Sequence, residues 1–255
     1  MEKKTKILFS SLAAGLFLCQ AAVAADYKTS VGLGVGMAPD YEGSEDYTAV
    51  PLLFARVGWG DGDYVMLKGT QLKWNLLNDQ IEFGPLLQYR GERDDVDNDQ
   101  VDAMKDIDAA VEAGFFLTGR SGPWSATLEF AADVSDTYDG FLITLGGNYR
   151  QTISDDFKMT YGVSTTYASD NYMETYFQVD AGNRGTSTLP NYNADGGFKD
   201  VGLNVAADYS FNAKWSIVGN LGYKYLLGDA ADSPIVDDEG SEGQFFLGAM
   251  GVYRF

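Results

Sequence analysis

The side chains with the most evident capacity for chemistry are the carboxylates of Asp94-Asp95-Val96-Asp97-Asn98-Asp99. Asp95, Asp97, Asp99 and Asp106 fall at positions 1, 3, 5 and 12 of an EF-hand-like loop, where a calcium ion needs oxygen ligands. Gln100 stands where the sharp turn wants glycine, and Asp106 replaces the bidentate Glu, so a solvated acidic loop is the simpler reading. A second acidic stretch runs through Asp229, Asp232, Asp237, Asp238, Glu239 and Glu242 with no basic residue. It suits either divalent bridging to anionic lipopolysaccharide or plain colloidal repulsion. The chain contains no histidine. Ser-His-Asp and Cys-His catalysis and His-containing zinc sites are therefore excluded; carboxylate-only catalysis stays open as a formal option, and no enzyme activity and no cofactor are expected. Gly32-x-Gly34-x-Gly36 resembles a nucleotide fingerprint, but it sits in an alternating strand with no helix behind it, where curvature or close packing explains it better.

The charge balance narrows the class. A formal net charge of −19 makes nucleic acid an unlikely partner. Met1 to Ala25 reads as a secretory signal: Lys3, Lys4 and Lys6, an apolar run from Ile7 to Cys19, then Ala21-Ala22-Val23-Ala24-Ala25. Cleavage near Ala24 or Ala25 leaves residues 25–255 as a single domain and discards Cys19, which Leu18 in front makes a poor lipidation site. Residues 1–24 carry three lysines and one glutamate, so their loss takes the charge to −21 and leaves no cysteine for a disulfide.

The elements that must position the remaining charges are strands. Past the leader no apolar run approaches the ~20 residues of a membrane helix. Period-two alternation recurs instead, as in Phe157 to Tyr167, Val201 to Phe211, Trp215 to Tyr225 and Gln244 to Phe255. The same pattern covers Val31 to Met37, Leu72 to Leu76, Ile81 to Arg90, Ile107 to Thr118, Trp124 to Val134 and Phe141 to Arg150. Val50 to Val57 and Tyr64 to Lys68 alternate less cleanly. The count is about twelve, an even number, and the links between them alternate in length. Gly58 to Gly62, Leu77 to Gln80, Gly119 to Pro123, Gln151 to Asp156 and Ser210 to Ala213 are short. Pro39 to Tyr47, Gly91 to Asp106, Ser135 to Gly140, Ala168 to Asp200 and Gly228 to Gly243 are mostly longer. Short periplasmic turns and long external loops characterise an all-β, antiparallel up-and-down transmembrane barrel of the Gram-negative outer membrane.

Outward aromatic residues fit that reading. Trp74, Trp124, Phe157, Tyr209, Phe211, Trp215 and Phe255 fall near the short turns, and Tyr64, Tyr89, Tyr138, Tyr167 and Tyr225 near the long loops. The opposite faces send Glu82, Arg90, Asp108, Glu112, Glu129, Asp133, Arg150, Lys158, Asp208, Lys224 and Arg254 into the lumen. Mixed charges there either line a wet channel or pair off and plug it. The long loops, Ala168 to Asp200 among them, are expected to face outward.

Pro39-Asp40-Tyr41-Glu42-Gly43-Ser44, Leu189-Pro190-Asn191-Tyr192, Gly196-Gly197-Phe198-Lys199-Asp200 and, most specifically, Leu226 to Val236 resemble the MipA/OmpV family of outer-membrane barrels. The resemblance covers nearly the whole mature chain. It implies a non-catalytic scaffold for murein enzymes, a lytic transglycosylase and a murein synthase; other members are described as porin-like channels or adhesins. Outer-membrane lipid and lipopolysaccharide would surround such a barrel. Tyr253 and the terminal Phe255 also resemble the signal that the barrel assembly machinery recognises.

Overall fold

The computed structural model describes residues 27–255; the leader expected at residues 1–24 lies outside them. Twelve strands follow in order: β1 (Lys28–Pro39), β2 (Tyr47–Trp59), β3 (Asp63–Lys68), β4 (Gln71–Asn75), β5 (Ile81–Arg90), β6 (Ala110–Ser121), β7 (Trp124–Asp133), β8 (Phe141–Thr152), β9 (Phe157–Ala168), β10 (Gly197–Ser210), β11 (Trp215–Leu226) and β12 (Gly243–Arg254). Each pairs antiparallel with its sequence neighbour, and β12 returns to β1, so the sheet is a closed barrel. The seam runs from Ser30 opposite Arg254 to Met37 opposite Leu247. Closure satisfies backbone groups that an open edge would leave bare.

The alternation seen in the sequence resolves into two surfaces. Leu33, Val35, Phe83, Leu145, Val163, Leu203, Ile217, Leu221 and Leu247 all lie exposed on the outer face. An apolar belt this continuous fits hydrocarbon rather than water. Strand termini follow local chemistry: Gly122, at φ +56°, supplies the left-handed residue that lets β6 turn directly into β7 ahead of Pro123. The short β3–β4 hairpin turns at Gly69, with φ +59°, after Leu67 and Lys68 have paired with Ala55 and Phe54.

Five long links gather at the opposite end and fold inward over the mouth. They contain α1 (Asp99–Asp102), capped by Asn98, whose side chain accepts from the N–H groups of Gln100 and Val101. They also contain α2 (Asp170–Phe177), capped by Ser169, and α3 (Pro234–Asp237), which starts on a proline after Ser233. Tyr172, Met173, Phe177, Ile235 and Val236 are buried there, in a core that the alternation rule does not predict. Burying each of the larger side chains is worth roughly 1.5–3 kcal/mol, so the cap is a packed structure rather than a loose set of loops.

Several expectations change accordingly. Tyr64 faces the lumen near the short turns, not lipid near the long loops, because Lys68 and Met66 share its inward face. Tyr138 is buried in the cap against Tyr172 and Tyr176 instead of lying at a lipid boundary. Ala168 to Asp200 does not simply face outward, since α2 packs into the mouth. Ile107 precedes β6 and bridges to Arg93, and Asp108 beside it is exposed in the link ahead of β6 rather than on a barrel strand.

Only some strand glycines lie where a neighbouring backbone comes close. A Cβ built on Gly114 would stand 1.8 Å from the carbonyl oxygen of Phe130, whereas one on Gly219 meets nothing within 4 Å. Gly114→Val is expected to abolish most of the folded, heat-modifiable form on cold gel electrophoresis, and Gly219→Val to leave it intact.

Candidate functional site

Charge in this chain is sorted by topology. Residues 27–255 hold fifteen Lys and Arg, and eleven of them occupy inward strand positions; of thirty-five Asp and Glu, six do. The inside of an acidic protein is therefore basic. One of the eleven arrives by an irregularity. A bulge between Phe198 and Asp200 inserts Lys199 into β10, so that Lys199 and Asp200, adjacent in sequence, are both buried on the lumenal side.

These two residues anchor the cap. Glu42, from the β1–β2 link, accepts from Lys199 and from the Tyr172 hydroxyl at 2.7 Å, and lies 3.4 Å from Lys224. Lys199 also bonds Asp200 at 2.9 Å. Beside it Arg90 Nε donates to Glu112 at 2.7 Å, the Tyr138 hydroxyl donates to the same oxygen at 3.0 Å, and Arg90 lies 5.1 Å above the Tyr172 ring. Burial alone would raise the Glu42 carboxyl, but Lys199, Lys224 and Arg90 outweigh it and hold that group well below the usual carboxylate range. Burial pulls the Arg93 guanidinium, which donates to the Tyr176 carbonyl, down to about 10. The loops bond one another as well: Asp97 N–H donates to Asp40, Asn98 to Glu239, and Ser233 to the Phe177 carbonyl.

Beneath the cap lies a cavity of about 820 Å³. It extends from Glu42 and Tyr172 down to Glu82 and Arg120, and its walls include Thr127, Thr144, Asn148, Ser164 and Asn204. Lys73 pairs with Glu129 across it, and Arg120 pairs with Glu82 at 3.1 Å. Charges therefore pair off and close the mouth together with the long loops, and a cavity is left below them.

The remaining sequence candidates separate. Arg150, Lys158, Asp208 and Arg254 lie inward near the short turns, with Arg254 3.6 Å from Asp208. Asp133 closes β7, where its carboxylate accepts the N–H groups of Ser135, Thr137, Tyr138 and Asp139 and shapes a turn. Asp95, Asp97, Asp99 and Asp106 do not converge: among the described residues no group of three acidic side chains is placed to hold a metal ion. Tyr253 packs at a tilt against Trp215 and edge-on against Phe255, and Phe255 is exposed on the outer face. Sequence reasoning missed Glu42, Lys199 and Tyr172, because two lie outside regular strands and the third owes its direction to the bulge. The signal that was available is the run Gly196-Gly197-Phe198-Lys199-Asp200, where two adjacent charges break the alternation.

A closed antiparallel sheet with an apolar exterior and a charged interior defines a transmembrane β-barrel of the outer-membrane class. The family model described as "MltA-interacting protein MipA" matches residues 31–255, and the chain belongs to that family. The MltA-interacting proteins of Escherichia coli (strain K12) and Shigella flexneri are each 27% identical over 225 residues, covering 84% of this chain and 86% of theirs. Among solved structures, a NanC porin has 11% identity and TM-score 0.47 over 88% of this chain and 98% of its own. The translocator domain of the autotransporter NalP from Neisseria meningitidis has 9% identity and TM-score 0.46, over 92% and 90%.

Removing one member of a buried ion cluster strands its partner, at a cost of about 3–5 kcal/mol. Glu42→Gln should therefore loosen the cap, read as faster amide exchange over residues 170–177 with the barrel still folded. The direction of the Glu42 shift also fixes a pH window. Its contribution is complete above the ordinary value of 4.5 and fades only as pH falls below it toward the depressed value. Protease resistance of the cap is expected to be equal at pH 7.5 and pH 5.5, and to decline under more acid conditions.

Proposed function

We propose that this chain is a non-catalytic interaction protein of the outer membrane that holds murein-remodelling enzymes, a lytic transglycosylase and through it a murein synthase, at the membrane's inner face. The observation that carries this reading is the locked cap. With the long-loop mouth shut by a buried ion cluster, the short-turn end is the surface left for exchange with a partner. In outer-membrane barrels that end faces the periplasm, where murein lies. Family membership and the name of the relatives support the same partner class.

The face concerned is small but has a definite character. Its turns carry Asp61, Asp63, Asp79, Asp155 and Asp156, and all but Asp63 are exposed. A basic surface on the enzyme would be drawn to it, giving a contact weaker than a standard interface of roughly 800 Å² per partner. Export through a leader at residues 1–24, and recognition of Tyr253 and Phe255 by the assembly machinery, belong to this reading. A small-solute channel would require the cap to open, and an adhesin would require its loops to extend.

Detergent-solubilised barrel on a solid support should enrich murein hydrolases and synthases several-fold over an unrelated barrel, and Asp155→Lys with Asp156→Lys should remove most of that gain. No enrichment, together with repeated discrete openings in planar bilayers, would replace the scaffold by the channel.

A further inference from the structure

Charge compensation differs between the two ends of the lumen. Under the cap, Arg90, Lys199 and Lys224 face Glu42, Glu112 and Asp200 and are in contact with them, while Lys68, beside the β3–β4 turn, has no carboxylate within 4.0 Å among the described residues. Within a few residues of the short turns, Lys28, Arg56, Arg120, Arg150, Lys158 and Arg254 point inward against Glu82 and Asp208 alone. Arg120 and Arg254 take up those two acids; among the described residues no carboxylate lies within 4.0 Å of Lys28, Arg56, Arg150 or Lys158. Water reaches this collar, since the Arg120, Arg254 and Asp208 side chains are 49%, 36% and 28% exposed.

The collar has two walls. Arg254, Ser30 and Arg56 form one inward row across β12, β1 and β2, with the Arg56 guanidinium 4.2 Å above the Tyr64 ring. On the other wall Arg150 lies opposite Thr160, two residues along β9 from Lys158, a diagonal of roughly 7–8 Å. Past the collar the cavity wall is lined by amide and hydroxyl groups. Asn148 and Asn204 converge over Gly162, where an added Cβ would lie 2.5 Å and 1.9 Å from their Oδ1 atoms. Donors and acceptors of that kind pair with sugar-like hydroxyl groups, and cationic groups without a carboxylate of their own among the described residues, as at Arg150 and Lys158, pair with a carboxylate. The acidic turns lie outside the collar in solvent, where salt screens them within about 10 Å at 0.1 M.

We infer that the short-turn half of the lumen is a binding site for a small hydroxyl-rich solute bearing a carboxylate, admitted from the periplasmic side and held between the Arg56–Arg254 and Arg150–Lys158 walls. This site is independent of the scaffold reading: it uses the inside of the barrel, and docking uses the turns. A carboxylated amino sugar and its neutral counterpart provide the probe pair. N-Acetylmuramic acid should bind the folded, detergent-solubilised full chain saturably in calorimetry. N-Acetylglucosamine, which lacks the carboxylate, should bind at least tenfold more weakly. The double variant Arg150→Gln, Lys158→Gln should lose at least tenfold affinity for the acid while keeping its heat-modifiable mobility, and Arg150→Lys, Lys158→Arg should retain it. Equal affinity for the two sugars, absence of saturable binding, or full affinity in the folded double Gln variant would each overturn the site. Enrichment of murein enzymes by that variant should match wild type, so failure of one reading does not carry the other with it.

Discussion

Everything in this molecule depends on the need to pair backbone N–H and C=O groups where no water can do it. In hydrocarbon an unpaired group costs several kcal/mol, so a sheet that crosses a membrane must close on itself. The β1–β12 seam is that requirement made local: seven residues of β1 after Ser30 each face a residue of β12. Closure then fixes the second property of the chain. Because side chains alternate, one face of every strand must be apolar and the other is freed from contact with lipid. Polar chemistry can only go inside or into the loops.

That partition explains how a protein with net charge −19 acquires a basic interior. Long basic side chains at inward positions lie within reach of one another and of the opposite wall. The acids, placed mainly in links, stay in solvent, where repulsion among them is screened. Six acids take inward strand positions, and a loop brings in one more, Glu42. The cap is thus held by a contact between topologically distant parts, the β1–β2 link, the β10 bulge, β11 and α2, rather than by any one loop.

The strands were legible in the sequence because a wall with lipid on one side and charge on the other imposes a period of two with few exceptions. The alternation marks Ile81 to Arg90 and Phe157 to Tyr167 to within a residue of the strand ends. The errors fell where that single rule ceases to apply. Tyr64 was misplaced because an aromatic residue satisfies the pattern on either face; its inward direction follows from Glu82, a hydrogen-bond partner eighteen positions away. Tyr138, Tyr172 and Phe177 lie in links whose burial depends on other links, which period counting cannot register. The acidic run at Asp94 to Asp99 offered ligand spacing without the turn that would gather it, and Asn98 instead caps α1.

Ion pairing reports where water goes. A charge moved into a low-dielectric interior costs several kcal/mol unless a partner accompanies it, whereas a charge in contact with water needs none. Lys199 and Asp200, with side chains 3% and 1% exposed, accordingly occur as a bonded pair, and Arg90 with Glu112 as another. At the short-turn end, Arg150 and Lys28 have no carboxylate partner among the described residues and are exposed. Unbalanced charge survives only where solvent pays its cost, so the distribution of unpaired cations marks the wet half of the lumen. A structure that merely filled its interior would have balanced both ends. Bonded pairs beneath the cap and a larger surplus of cations by the short turns give the two ends of one barrel different character.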